Sequence, residues 1–60
     1  MSAENARRLA HELTMEYIRN HPNLFSGMID DIPEITNRIA DINRKFYDSI
    51  IHNDKFNGLY

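Results

Sequence analysis

The second half of this 60-residue chain has a regular spacing of large apolar residues that restricts it to helical folds. Six of these residues follow one another at intervals of three or four positions: Ile32, Ile35, Ile39, Ile42, Phe46 and Ile50. Such intervals place side chains on one side of an α-helix, whereas a half-buried strand needs intervals of two. The spacing therefore predicts one long amphipathic helix, and no strand pattern competes with it.

The first half of the chain predicts another helix, over residues 3–20. Ser2 is expected to cap its first free amide groups. Pro22 is expected to end it, because the residue before a proline is disfavoured in the helical conformation. The apolar face of this helix consists of Ala6, Leu9, Ala10, Leu13 and Tyr17.

Residues 21–31 connect the two helices and are too apolar for an ordinary solvated loop. Leu24 and Phe25 have two interpretations, a plug that closes the end of the helix pair or a tip that docks into a partner. Pro33 suits the first turn of the second helix, which is predicted over 32–53, with an apolar tail over 54–60. The expected fold is a single all-α domain, residues 1–60, arranged as an antiparallel two-helix hairpin.

The second helix has more apolar surface than one neighbour covers, which predicts self-association. A chain this short rarely gains more than about 3–5 kcal/mol from a single core, and it has no cysteine for a disulfide. Pairing two hairpins into a homodimeric four-helix bundle would cover the remaining surface. The predicted contact residues are Met15, Ile18, Ala40, Tyr47 and Ile51. Two alternatives are a monomer whose connection and tail cover this surface, and a different protein that binds it.

Catalytic and metal-binding motifs are missing from the sequence. His11 and Glu12 resemble the start of the zinc motif H-E-x-x-H, but Met15 stands where the second histidine belongs. Three histidines that converge in the fold remain an open alternative: His11, His21 and His52. An acidic cluster is interpreted as favouring the positive end of the second helix rather than as a cation site: Asp30, Asp31 and Glu34. We expect no catalytic residue, no cofactor and no metal.

The charge balance does not favour nucleic acid as a partner. Seven basic residues stand against nine acidic ones, for a net charge of −2, and the two signs alternate along the chain. Pairs four residues apart, such as Arg44 with Asp48, are expected to offset each other. A small nucleic-acid-associated regulator that uses the arginines is kept as the alternative function.

The chain has no apolar run of the roughly 20 residues that a membrane-spanning helix needs, so we expect no membrane partner. Residues 1–10 are too polar for the apolar core of a signal peptide. The expected location is the cytoplasm.

The layout resembles that of small uncharacterised helical proteins of Gram-positive bacteria and their mobile elements. The likeness lies in the run from Leu9 to Ile18, the short loop containing Pro22, and the long helix that ends with the run from Lys45 to Ile50. It implies a cytoplasmic accessory protein and assigns no functional residue. Together with the residues themselves, it predicts a non-enzymatic protein–protein interaction module.

Overall fold

The computed structural model describes residues 2–28 and 30–57, without the side chain of Asn57. Met1, Ile29 and residues 58–60 lie outside that part, and with them one residue of the predicted connection and the end of the predicted tail. The described chain contains α1 (Ala3–Asn20), a 3₁₀ turn (Pro22–Phe25), α2 (Ile32–Ile51) and α3 (Asp54–Asn57). The prediction of an all-α fold with two long helices packed together is confirmed.

Ser2 caps the start of α1 and His21 caps its end. At its start, the Ser2 hydroxyl accepts a hydrogen bond from the backbone N–H of Asn5, at 3.1 Å. At its end, the backbone N–H of His21 donates to the carbonyl of Ile18, and the ring nitrogen Nδ1 of His21 lies 2.8 Å from the carbonyl of Tyr17. These contacts supply partners for backbone N–H and C=O groups that have none within the helix.

The start of α2 depends on Asp31, whose carboxylate accepts a hydrogen bond from the backbone N–H of Glu34, at 3.2 Å. We expect Asp31→Ala to lower the free energy of unfolding by about 1 kcal/mol, since an alanine cannot replace this cap. Asp30→Ala removes the same charge from an exposed neighbour and should cost less. Urea denaturation at one protein concentration measures both. Equal losses would mean that the charge matters and the cap does not.

The end of α2 differs from the predicted boundary. The helix ends at Ile51 rather than Asn53, where His52 serves as the C-cap and donates its backbone N–H to the carbonyls of Asp48 and Ile50. The Nδ1 atom of His52 lies 2.8 Å from the carbonyl of Asp48, and the side-chain oxygen of Asn53 accepts a hydrogen bond from the backbone N–H of Lys55. The chain then turns into α3, whose Phe56 packs back on the core.

The two long helices run antiparallel, with their closest contact between the start of α1 and the end of α2. Ala6 and Ala10 are fully buried, and Ile50 packs against them with 1 % of its surface exposed. Alanine has the smallest side chain with a Cβ, so the helices approach closely at this point. Further along, Thr14 of α1 contacts Asn43 of α2. Partly buried apolar residues surround this core: Leu9, Leu13, Phe46, Tyr47, Ile51 and Phe56.

The molecule is a slab about one helix thick. It measures 41 × 20 × 14 Å, and its two long helices lie side by side in a single layer. Its radius of gyration is 13.1 Å, where a compact domain of this length has about 10 Å. Its accessible surface is 4682 Å², where a folded monomer of 7.1 kDa has about 4,100 Å². Two broad faces are therefore left without a third layer.

The position of α1 corrects one expectation about the two apolar stripes of α2. The sequence predicts that α1 covers one of two neighbouring stripes, the isoleucine stripe or the stripe of Ala40, Tyr47 and Ile51, and leaves the other in solvent. Instead, α1 packs along the boundary between the stripes, against Ile50 and Asn43. Tyr47 and Ile51 are half-buried against the core, whereas Ala40 is exposed. Each stripe is thus partly covered by α1, and each leaves apolar surface on one broad face.

Candidate interaction surface

One broad face carries an open groove between α1 and α2, which we call the Met15 face. The groove encloses about 320 Å³ near the middle of both helices. No Asp, Glu, Lys or Arg lines it, and its lining consists of His11, Thr14, Met15, Thr36, Ile39, Ala40 and Asn43. Exposed grooves without charge, with methionine at the centre, are typical of the core of protein–protein interfaces.

The predicted contact residues lie on this side of the helix pair. Met15 is 45 % exposed and lines the groove together with the exposed Ala40. Ile18 is half-buried and follows Met15 by three positions, so it lies one turn further along α1. Tyr47 and Ile51 follow Ala40 at helical intervals of seven and eleven residues, and they are shared with the core. Contact with a partner remains a prediction for all five.

Thr14 and Asn43 form a polar contact across the helix pair that no pattern in the sequence predicts. Thr14 is 1 % exposed, and its Oγ lies 2.7 Å from the carbonyl of Ala10 and 3.1 Å from the side-chain amide of Asn43. A hydroxyl has one proton, and the shorter contact assigns it to Ala10. We therefore orient the Asn43 amide with its NH₂ group donating to Thr14. The reverse orientation, with the amide oxygen toward Thr14, has the same shape.

The opposite broad face, which we call the Tyr17 face, is partly covered by the connection. Leu24 and Phe25 are half-buried and line a second groove with Tyr17 and Ile42. The ring of Tyr17 packs edge-on against Phe46, with 5.8 Å between ring centres. These contacts favour the interpretation of Leu24 and Phe25 as a plug. Three charged residues line the same groove: Arg38, Asp41 and Lys45.

Asp41 pairs with two cations on the outer side of α2. Its carboxylate lies 2.8 Å from Arg44 and 3.1 Å from Lys45. The expected pairing of Arg44 with Asp48 is therefore wrong, and the pair three residues apart forms instead. The hydrogen bond from Lys45 and then that from Arg44 lower the pKa of Asp41 below its ordinary value.

We expect Lys45→Gln to raise the pKa of Asp41 toward its ordinary value, because the largest cause of the shift is removed. NMR titration of the Asp41 carboxyl carbon measures this. Since the pKa is lower in the folded state, the pair stabilises the fold above the ordinary pKa of aspartate, and this stabilisation is lost as the pH falls through the folded-state value. An unchanged Asp41 titration in Lys45→Gln would contradict the assignment.

The histidines do not come together. His21 lies at the end of α1 and His52 at the end of α2, which are opposite ends of an antiparallel pair, and both act as caps. His11 lines the groove of the Met15 face, away from both ends. Within residues 2–28 and 30–57, no group of three or more histidine, aspartate or glutamate side chains is arranged to hold a metal ion.

Most of the basic residues already have a carboxylate neighbour on their own helix. Five of the seven basic residues form such pairs, at 2.8 to 4.0 Å: Arg8, Arg19, Arg38, Arg44 and Lys45. These exposed pairs partly offset the positive charge that a nucleic-acid phosphate would meet. In the part of the chain that the structure describes, no helix has the length and apolar character required to span a bilayer.

Comparison with known proteins finds no match for this chain. The chain matches no family model, no curated protein and no solved structure. The resemblance to small helical proteins of Gram-positive bacteria remains a prediction from the layout of the sequence. The functional interpretation therefore rests on the two broad faces of the helix pair.

Proposed function

We propose that this chain is a non-enzymatic protein–protein interaction module that works as a homodimer. Two hairpins pair through their Met15 faces and form a four-helix bundle. The observation that carries the proposal is an uncharged, partly apolar groove at the centre of a slab only one helix thick. The assembled bundle then offers its outer surfaces to other proteins as an accessory or regulatory unit. A cytoplasmic location remains part of the prediction from sequence.

The dimensions of the slab match those of a stable pair. A face of 41 × 20 Å has a projected area of roughly 800 Å², which is comparable with the surface that each partner contributes to a standard protein–protein interface. At about 25 cal/mol per Å², the apolar part of this area is the largest stabilising contribution open to a chain without disulfides. A second layer of helices would also bury the half-buried residues on this side of α2.

The charge distribution favours the Met15 face over the Tyr17 face as the surface that pairs with a second copy. In a two-fold dimer each face meets itself, so charges near the axis meet charges of their own sign. The groove of the Met15 face has no formal charge and avoids this repulsion. On the Tyr17 face, Arg38, Asp41 and Lys45 line the groove, and Leu24 and Phe25 already cover part of it.

Multi-angle light scattering over a concentration series tests the proposal. We expect the molar mass to rise from about 7 to about 14 kDa between roughly 10 μM and 1 mM protein, with helicity rising over the same range. Such coupling is expected because a slab of this thickness gains much of its stability from the second layer. A helical chain that keeps the mass of a monomer throughout would contradict the proposal.

A further inference from the structure

One of the polar side chains of the groove, Asn43, lies near the centre of the surface just proposed as the dimer interface. It is half-buried and lines the groove next to Ala40 and Ile39. The groove lies near the midpoints of α1 and α2. Two copies that overlap along their full 41 Å length therefore place their two-fold axis close to this groove. A residue close to such an axis meets the same residue of the second copy.

The hydrogen bonds of Asn43 are incomplete in a single copy. The amide contacts the hydroxyl of Thr14, and in the orientation assigned above one of its N–H groups donates to that hydroxyl. The second N–H and the carbonyl oxygen then remain available for another partner. In an open groove, water satisfies both. A second copy would remove that water and leave a donor and an acceptor without partners, which is unfavourable unless the copy replaces them.

We propose, on the basis of the dimer described above, that Asn43 of one copy pairs with Asn43 of the other through reciprocal amide hydrogen bonds. A primary amide presents one donor and one acceptor on the same edge, so two amides related by a two-fold axis satisfy each other. The pair fixes the register of the two hairpins, because any sliding leaves four polar groups buried and unpaired. A lone asparagine in an apolar helical interface has this effect in coiled coils.

Complementary charges at position 43 test this pairing. We expect Asn43→Asp and Asn43→Lys each to raise the dimer dissociation constant at least about tenfold when studied alone, since like charges then meet at the axis. An equimolar mixture of the two should recover a one-to-one heterodimer with a dissociation constant close to that of the parent. Thr14 accommodates either variant, because its hydroxyl oxygen accepts from a lysine and its single proton can turn from the Ala10 carbonyl to an aspartate. Native mass spectrometry identifies the heterodimer, and circular dichroism follows the helicity of each sample.

Ser49→Asp and Ser49→Lys are the matched controls, since Ser49 is exposed and lines a groove on the Tyr17 face. Both should associate like the parent. Variants at position 43 that dimerise as tightly as the parent would overturn the proposal, and so would two weakened variants whose mixture recovers nothing. A variant that is unfolded alone and regains helicity in the mixture supports it. A monomeric parent instead marks the failure of the proposed dimer itself.

Discussion

Ala40→Asp is expected to abolish dimer formation and to leave a hairpin with the helicity of the dilute parent chain. Ala40 is exposed in a single copy, so its replacement disturbs no contact between α1 and α2. In the dimer, two unpaired carboxylates would be buried near the axis, at a cost of roughly 3 kcal/mol or more. This corresponds to an increase in the dissociation constant of at least about 100-fold. Sedimentation equilibrium gives the constant directly.

Ser49→Asp is the control for this experiment. It adds the same charge to the same helix on the Tyr17 face, at an exposed position. It should leave the dissociation constant within about threefold of the parent value, because a single surface charge contributes little. Ile51→Asp is less informative, since Ile51 also packs against the core and its loss would unfold the hairpin. Equal dissociation constants for Ala40→Asp and Ser49→Asp would exclude the Met15 face as the interface.

Ile50→Ala is expected to cause the largest loss of stability among single substitutions in α2. Ile50 is the largest fully buried apolar side chain described, and it packs against Ala6 and Ala10. Removing a buried isoleucine down to alanine costs about 2–4 kcal/mol, because a cavity remains between the helices. A core of this size supplies only about 3–5 kcal/mol, so a large fraction of the variant should be unfolded at room temperature. Urea denaturation at fixed protein concentration measures the loss.

Ile32→Ala provides the comparison. It removes the same atoms from the same helix at a side chain that is 64 % exposed. The expected loss is within about 0.5 kcal/mol, since little apolar surface is uncovered. Similar losses for the two variants would mean that the contact of Ile50 with the two alanines is not the centre of the core.

The helical pattern of this chain follows from its sequence because each signal is local. Ser2, Asp31 and Pro33 act within one turn of the helix they begin, and the spacing of the isoleucines reports one helix alone. The end of α2 was harder to predict, since Asn53, Asn57 and Gly58 are all plausible stop signals in the sequence. His52 caps α2 two residues before the predicted end, and Asn53 accepts from the backbone of Lys55 at the start of α3.

The relation between the two helices could not be predicted in the same way. Both stripes of α2 are apolar, and neither shows where α1 lies. The decisive residues are Ala6 and Ala10, whose small size allows close approach at Ile50, and Thr14, whose hydroxyl meets Asn43. A threonine and an asparagine separated by 29 residues give no signal of pairing in a single sequence. That arrangement places Tyr47 and Ile51 against the core and leaves Ala40 exposed.

The central claim is that the Met15 face is covered by a second copy in solution. Isotope-filtered NMR on a mixture of ¹³C-labelled and unlabelled chains tests it most directly, because it records only nuclear Overhauser effects between different copies. We predict such effects for the methyl groups of Met15 and Ala40, and none for the methyl groups of Leu24 on the opposite face. Intermolecular effects at Leu24 with none at Met15 and Ala40, or no intermolecular effects at millimolar concentration, would contradict the claim.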